Sequence, residues 1–388
     1  MTERAGRVFV QLKVAFLSDE TGQEPGSRLK TFTRRRRSLL RGLLSAAVLG
    51  FAGWASQVAG AAETVYPQKS WVEPSPETTG WSLERLKAAD DVARSIGTGA
   101  YLVVQHGVIV HKFGEVNKPM NLASARKSVL SVLYGIEVDR GKIDLGQTLA
   151  ELGIEDKGGL SETEKRATVR ELLQARSGVY HPAAYETSSM KAERPPRASH
   201  EPGTYWHYNN WDFNALRTIF RKLTGSSVFD SLDKELARPL RFEDFDQSRD
   251  TEFITERASD HPAYVMRLSV RDLARVGLLM ARSGRWGDRQ IVSTRWVAES
   301  TASYSNASAS LGYGYLWWVG QDNWHFRQKF PGKVFSARGN YGQFLVVDPV
   351  RDIVIVHRVE MDRLFAREVS VRQFGDLLEQ ILLAAPTQ

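Results

Sequence analysis

The 388-residue chain has 42% hydrophobic residues and a formal net charge of +7, a composition that fits a globular protein and excludes a collagen, a coiled coil or a disordered chain. Residues 1–62 hold ten Lys/Arg and four Asp/Glu, so most of the charge lies there and no basic surface for nucleic acid is expected. Cysteine is absent, which excludes disulfides, thiol chemistry, cysteine-based zinc sites and a lipid-modified cysteine.

The N-terminal region has the pattern of an export signal. A basic stretch at Thr33–Arg41 precedes an apolar run from Gly42 to Ala55 and then small residues. Within it, Arg36-Arg37-Ser38-Leu39-Leu40-Arg41 resembles the twin-arginine signal of bacteria. We expect residues 34–62 to be a signal peptide read by the twin-arginine export machinery and signal peptidase, giving a periplasmic or secreted protein without a stable membrane span. An N-terminal membrane anchor is the alternative.

Residues 1–33 precede this signal, and we expect them to be an untranslated or disordered extension ahead of a misassigned start codon. Residues 63–80 contain three prolines and predict a linker. A single domain is expected from 81 to 388, with a mostly helical insertion at about 140–330.

Periodicity predicts the elements of that domain in chain order. Helical spacing of apolar residues is found at 82–93, 168–176, 211–223, 228–236, 269–283, 293–300 and 366–383. Short β-branched runs are found at 100–104, 107–111, 333–337, 343–347 and 352–357. Because strands at both chain ends bracket a helical middle, the expected fold is α+β, with one antiparallel sheet built from both ends and flanked by helices. Residues 178–202 predict a long loop that covers a site.

Ser124 and Lys127 stand at the start of an apolar, helix-patterned run. Residues three apart share one helix face, so the lysine amine can approach the serine hydroxyl, and burial lowers a lysine pKa toward the range of a general base. The alternative is a serine helix cap beside a solvated lysine. The same spacing at Ser27–Lys30, Ser188–Lys191 and Ser231–Lys234 lacks a preceding hairpin and a following apolar helix.

Further motifs occur in a recognisable order after this pair. They are Gly141-Lys-Ile-Asp-Leu145, Tyr208-Asn-Asn210 just before a helix, and Ser269-Val-Arg-Asp-Leu273. Together they resemble the serine hydrolases related to class C β-lactamases and penicillin-binding proteins, over roughly residues 81–383. The resemblance implies a β-lactamase/transpeptidase-like fold, and it favours Tyr208 over the second Tyr-x-Asn at Tyr304.

The third motif departs from most of that family. Where many members have Lys-Thr-Gly or His-Thr-Gly, this chain has Ala337-Arg338-Gly339. This resembles the branch that contains 6-aminohexanoate-dimer hydrolase and esterases. Loss of the cation that binds a substrate carboxylate disfavours a β-lactamase or a D-Ala-D-Ala carboxypeptidase. Arg338 cannot replace it, because neighbouring strand residues point to opposite faces.

The resemblance implies a serine hydrolase that cleaves ester or amide bonds through an acyl-enzyme on Ser124, with Lys127 and Tyr208 sharing the roles of base and acid. A non-hydrolysing penicillin-binding or peptidoglycan-sensing protein is the alternative of another class. No cofactor or metal is implied, since the loop histidines His181, His200 and His207 lack metal-ligand spacing.

The residues expected to bind substrate are Asn210, Gly339, Asn340 and Tyr185. Asn210 would orient the lysine, backbone N–H groups of the serine and of Asn340 would form an oxyanion hole, and Gly339 would permit close approach. Asn210 could instead cap the helix at 211, and Tyr208 and Trp206 could be core aromatics. Tyr185 could contact the leaving group or lie on the surface. Trp317 and Trp318 are expected in the core or along the pocket.

Overall fold

The computed structural model describes residues 65–386. The predicted extension, the signal peptide and the Ser27–Lys30 pair lie outside this range. The helices are α1 (Leu83–Ile96), α2 (Arg126–Asp139), α3 (Val169–Leu173), α4 (Ser188–Ala192), α5 (Asn210–Thr224), α6 (Val228–Ser231), α7 (Arg238–Leu240), α8 (Gln247–Asp250), α9 (Val270–Ala281), α10 (Thr294–Ser300) and α11 (Val371–Ala384). A π-helical segment, Leu232–Ala237, joins α6 to α7, and short 3-10 turns occur at Pro76–Thr79, Ala123–Ala125, Glu164–Arg166 and Asn340–Gly342. Across these residues, every helix is too short or too polar to cross a membrane.

The strands are β1 (Ala100–Gln105), β2 (Val108–Gly114), β3 (Met120–Asn121), β4 (Thr251–Glu256), β5 (Ser259–Leu268), β6 (Arg285–Trp286), β7 (Arg289–Gln290), β8 (Ser305–Asn306), β9 (Leu311–Tyr313), β10 (Trp318–Gly320), β11 (Trp324–His325), β12 (Gln328–Lys329), β13 (Phe335–Gly339), β14 (Gln343–Asp348) and β15 (Ile353–Arg358). Eight of them form one sheet in the order β2-β1-β15-β14-β13-β10-β9-β8, and every neighbouring pair is antiparallel. The first and last strands of the chain are neighbours, with Ala100 opposite Arg358. This confirms a sheet built from both chain ends.

Helices cover both faces of this sheet. Alternate residues of a strand therefore belong to two different hydrophobic cores, one on each face. Leu102 and Val104 of β1 belong to the larger core, which includes α2, α5 and α9. Tyr101 and Val103 belong to the second core, which includes α1 and α11. The α+β class follows from these two layers of helices around an antiparallel sheet.

The middle of the chain contains more strand than its sequence pattern predicted. β4 and β5 pair and are joined by β3 into a three-stranded sheet, and β8, β9 and β10 extend the main sheet. Strands of two or three residues are too short to display a period of two, so their pairing depends on tertiary contacts. A short helix, α4, lies within the segment expected to be an irregular loop.

Serine side chains cap the starts of two helices. Ser269 accepts a hydrogen bond from the Asp272 N–H at the start of α9, and Ser293 accepts one from the Trp296 N–H at the start of α10. Side-chain oxygens in these positions satisfy backbone donors that the first helical turn leaves unpaired. Three predicted helices are shorter than expected: α3 ends at Leu173, α6 passes into a π-helical segment after Ser231, and α11 begins at Val371 rather than at residue 366.

Candidate active site

Ser124 lies in a 3-10 turn, Ala123–Ala125, immediately before α2. Ala123 has a φ of 45°, in the left-handed region, and its N–H donates to Asn121 Oδ1 at 2.9 Å. The N-cap of α2 is Ala125, which makes no side-chain capping bond. Ser124 is therefore not the helix cap that the alternative required, and its hydroxyl faces Lys127 instead, with 2.9 Å from Nζ to Oγ.

Lys127 is the centre of the site. Its side chain is buried, and Nζ lies 2.9 Å from Ser124 Oγ, 2.7 Å from the Tyr208 hydroxyl and 3.0 Å from Asn210 Oδ1. Burial, together with the neighbouring Arg126 charge, holds the pKa of Lys127 well below its ordinary value. The solvated-lysine alternative is therefore wrong, and the environment favours the neutral amine.

Tyr208 reaches Lys127 from the segment that precedes α5. Its ring packs 4.8 Å from Phe213, 5.4 Å from Trp318 and 6.0 Å from Tyr313, measured between centroids. Burial raises the pKa of Tyr208 to about 12, although its hydrogen bond with Ser124 and the Arg126 charge act in the opposite direction. Tyr208 is thus both a packed aromatic residue and a neutral hydroxyl in contact with Lys127.

Asn210 is not the cap of α5. That position belongs to Asn209, whose Oδ1 accepts from the Asp212 N–H at 2.9 Å, and Asn210 is the first helical residue. The Asn210 side chain instead joins two parts of the site, because Oδ1 accepts from Lys127 and Nδ2 donates to the Tyr185 carbonyl at 2.7 Å. Two adjacent asparagines divide the capping and positioning roles.

Tyr185 brings the 178–202 segment into the site. It is half-buried with a φ of 65°, and its hydroxyl accepts from Asn121 Nδ2 at 3.3 Å. The Arg126 guanidinium carbon lies 5.2 Å from its ring centroid. Tyr185 is therefore held on both its backbone and its hydroxyl, rather than lying free on the surface.

Gly339 places the end of β13 against the Ser124 turn. A Cβ atom at this position would lie 2.4 Å from the Leu122 carbonyl oxygen and 3.0 Å from the Ala125 nitrogen, so only glycine fits. Asn340 follows directly, half-buried in the turn after the strand. The backbone N–H of residue 340 therefore leaves the sheet close to the serine turn.

Arg338 lies on the other side of β13. It is buried, its guanidinium carbon lies 4.0 Å from the Phe326 ring centroid, and Phe326 belongs to the second core, whereas Ala337 belongs to the first. This agrees with the prediction that Arg338 does not replace the missing cation.

The other candidate motifs have different surroundings. Ser231 is buried, contrary to the solvated face its charged neighbours suggested, whereas the Lys234 side chain is 78% exposed. Tyr304 stacks on Tyr315 and donates to the Glu299 carbonyl.

Of the three loop histidines, His200 and His207 both contact Tyr180, whereas His181 lies beside Glu164. His181 Nε2 lies 3.3 Å from Glu164, His200 stacks on Tyr205, and His207 packs edge-on against Tyr180. Among residues 65–386, acidic and histidine side chains form no group of three that could hold a metal. The two adjacent tryptophans have different surroundings. Trp317 packs on Phe335 in the core, and Trp318 lies beside Tyr208.

Two residues near the reacting groups were missed by sequence reasoning. Asn121 orders the backbone before Ser124, and Arg126 is a buried cation beside Lys127. The position of Asn121 three residues before the serine was a usable signal, because asparagine commonly bonds to nearby backbone. Nothing in the sequence around Arg126 distinguished it from a surface arginine.

Comparison with known proteins identifies the family and the fold of this chain. Residues 83–359 match the sequence model of the Beta-lactamase family, so the chain belongs to that family. A candidate 6-aminohexanoate-dimer hydrolase from Bacillus anthracis has a similar fold, with a TM-score of 0.60 and 19% identity over 81% of this chain and 86% of that one.

Two further solved structures share the fold. A class C β-lactamase superposes with a TM-score of 0.59 and 15% identity over 79% of this chain and 97% of that one. A family VIII carboxylesterase superposes with a TM-score of 0.57 and 16% identity over 78% of this chain and 97% of that one. The family and fold are thus those of serine β-lactamase-related hydrolases, with esterases and β-lactamases among the structural neighbours.

Proposed function

We propose that this protein is a serine hydrolase that cleaves ester or amide bonds through an acyl-enzyme on Ser124. The observation that carries the proposal is the buried Lys127 amine, within 3.0 Å of Ser124, Tyr208 and Asn210 at once. A lysine that burial holds neutral can accept the serine proton, and a serine so activated can attack a carbonyl.

The reaction then follows from the positions of these groups. Lys127 takes the proton from Ser124 as Oγ attacks the substrate carbonyl, and the tetrahedral oxyanion accepts hydrogen bonds from the backbone N–H groups of Ser124 and Asn340. The N-terminal end of α2 adds a favourable dipole. Tyr208 passes the proton to the leaving group as the scissile bond breaks, and water later releases the acyl group by the reverse sequence.

The surroundings of β13 favour simple esters or amides over β-lactams and D-Ala-D-Ala peptides. Ala337 occupies the position of the usual cation, and Arg338 is packed against Phe326 on the other side of the sheet. A substrate carboxylate would therefore find no cation from this strand. The same absence counts against a penicillin sensor.

Residues 34–62 support the further proposal that the protein is exported in folded form through the twin-arginine pathway and acts in the periplasm or outside the cell. Fractionation of a cell expressing the full chain, with and without Arg36→Lys and Arg37→Lys, tests it. We expect the double variant to be retained inside the cell and the unchanged protein to be exported. The same distribution of both proteins between the fractions would contradict the proposal.

The test of activity is labelling with a fluorophosphonate. The purified protein should be modified at Ser124, and the Ser124→Ala variant should be unlabelled, while Ser188→Ala, which alters another Ser-x-x-Lys pair, should label normally. A folded wild-type protein that is not labelled would contradict the proposal.

A substrate panel separates the related activities. It compares a short-chain nitrophenyl ester, a linear amide dimer, nitrocefin and a D-Ala-D-Ala peptide. We expect turnover of the ester or the amide dimer. Persistent acylation by labelled penicillin without ester turnover would instead favour the non-hydrolysing binder.

A further inference from the structure

Arg126 is a buried cation beside the proposed base. Its side chain is 1% exposed, and Nη1 donates to the Ala123 carbonyl at 2.6 Å. Among the residues described, Nε and Nη2 have no hydrogen-bond acceptor. The guanidinium carbon instead lies 5.2 Å from the Tyr185 ring centroid and 4.9 Å from that of Tyr264. The charge is thus held by one carbonyl and two aromatic faces.

An arrangement of this kind is unusual because a buried charge normally has a counter-ion. Within residues 65–386, no carboxylate lies within ion-pair distance of Arg126. Arginine remains protonated in proteins, so this positive charge is permanent. A neighbouring group that can release a proton will therefore do so more easily.

Lys127 is that neighbour, because both side chains bond to the same turn: Arg126 Nη1 donates to the Ala123 carbonyl, and Lys127 Nζ lies 2.9 Å from Ser124 Oγ. The titratable groups packed around them are tyrosines: Tyr208 before α5, Tyr185 in the 178–202 segment, Tyr264 on β5 and Tyr313 on β9. Burial raises the pKa of Tyr208, Tyr264 and Tyr313, so none of these three supplies a negative charge near neutrality.

The nearest acid on α5 also fails to offset the charge. Asp212 is fully buried and accepts from the Ser177 hydroxyl, and burial raises its pKa well above the ordinary value. Burial therefore shifts Asp212 toward its neutral form. Among residues 65–386, no ion pair joins Asp212 or another carboxylate to Arg126.

We propose that the Arg126 guanidinium, held without a counter-ion between Tyr185 and Tyr264, adds to burial in keeping Lys127 in its neutral form and so makes it available as the base for Ser124. Arg126 is then a positioning residue that acts through Lys127 and does not touch substrate. This inference rests on the proposed acyl-enzyme function.

The experiment measures the rate of Ser124 labelling by a fluorophosphonate as a function of pH. Two neutral variants, Arg126→Met and Arg126→Gln, are compared with the wild type. Removing the like charge should move the midpoint of the rise in rate about one pH unit higher, because nearby charges shift a pKa by that order. The rate near pH 7 should fall about tenfold, and the plateau at high pH should be recovered.

If Arg126 had only a structural role, its variants would label more slowly at the high-pH plateau, and the midpoint of the rise in rate would be unchanged. The matched control is Arg275→Met, which removes another buried arginine, one that lies 5.1 Å from the Trp71 ring centroid and is paired with Glu243. Its midpoint should equal that of the wild type.

Each outcome decides one question. A wild-type protein that does not label contradicts the proposed function itself. Wild-type labelling with an unchanged midpoint in both neutral variants contradicts only the role of Arg126. Failure of both neutral variants to fold, judged by circular dichroism and thermal melting, would show that Arg126 is needed for structure and would likewise overturn this inference.

Discussion

The backbone of Gly339 lies so close to Leu122 that a Cβ atom on Gly339 would be 2.4 Å from the Leu122 carbonyl oxygen. This contact joins the end of β13 to the turn that carries Ser124. The two segments come from opposite ends of the chain, and the proposed oxyanion hole depends on their separation. Any atom added between them must move one segment away from the other.

Gly339→Ala should therefore impair catalysis more than folding. Displacement of β13 moves the residue 340 N–H from the position of the oxyanion, and an error of about 1 Å in such a position costs about a hundredfold in rate. We expect kcat/KM for an ester to fall by about that factor. Gly146→Ala is the control, because its Cβ would meet only the Asp144 side chain at 3.3 Å. Equal activity in the two variants would show that the close approach is not needed.

The pH dependence of acylation should report the lowered pKa of Lys127. The neutral amine is the active form, so the rate should rise with pH through a midpoint below the ordinary lysine value of 10.5 and then level off. With a leaving group that needs a proton, the rate should fall only as the pH approaches about 12, where Tyr208 ionises. Rates measured over the range in which the protein stays folded check this. A midpoint near that of a solvated lysine would contradict Lys127 as base.

Tyr208→Phe should separate proton transfer from packing. The ring still packs on Phe213 and Trp318, but the hydroxyl 2.7 Å from Lys127 Nζ is lost. We expect kcat to fall by about 10²–10⁴-fold, the usual contribution of a positioned acid or base, with little change in melting temperature. Tyr304→Phe, at the second Tyr-x-Asn, should leave kcat unchanged. If Tyr304→Phe lowered kcat more than Tyr208→Phe, the catalytic Tyr-x-Asn motif would be the one at Tyr304.

Arg358 should contribute to stability rather than to chemistry. It is fully buried at the end of β15 and donates to Gln343 Oε1 and to the Leu268 and Met120 carbonyls. Arg358→Met removes three hydrogen bonds and much of a side chain from a buried site, so unfolding in urea should require about 2–4 kcal/mol less free energy.

The exposed Arg327, which pairs with Asp376 at 3.3 Å, gives the comparison. Arg327→Met should change the free energy of unfolding by less than about 0.5 kcal/mol. A similar loss in both variants would show that the contacts between Arg358 and the strands β3 and β5 add nothing beyond an ordinary surface ion pair.

The sequence predicted the parts of the fold that local pattern determines. The hairpin of β1 and β2, the three C-terminal strands and the helices α9 and α10 all have strong local signals. β5 and the two- or three-residue strands β8 and β9 were missed, because pairing with distant segments defines them.

The site shows the same division. Motif spacing identified Ser124, Lys127 and Tyr208, which the structure brings together. The choice of Asn209 over Asn210 as the cap depends on backbone angles, since Asn209 is extended with φ −135° and ψ 147°. Burial of Arg126 depends on Tyr185 and Tyr264, which are distant in sequence, so it could not be read from its neighbours.

The pairing of β1 with β15 has a consequence for biosynthesis. Residues 124, 127 and 208 are translated well before 335–358, and β1 acquires its second neighbour in the sheet only when β15 has left the ribosome. Pairing between such distant segments forms slowly compared with local contacts. A ribosome-bound chain can thus already contain the serine, the lysine and the tyrosine and still lack the strand that supplies residues 339 and 340. The proposed site is therefore complete only after residues 335–358 have been translated.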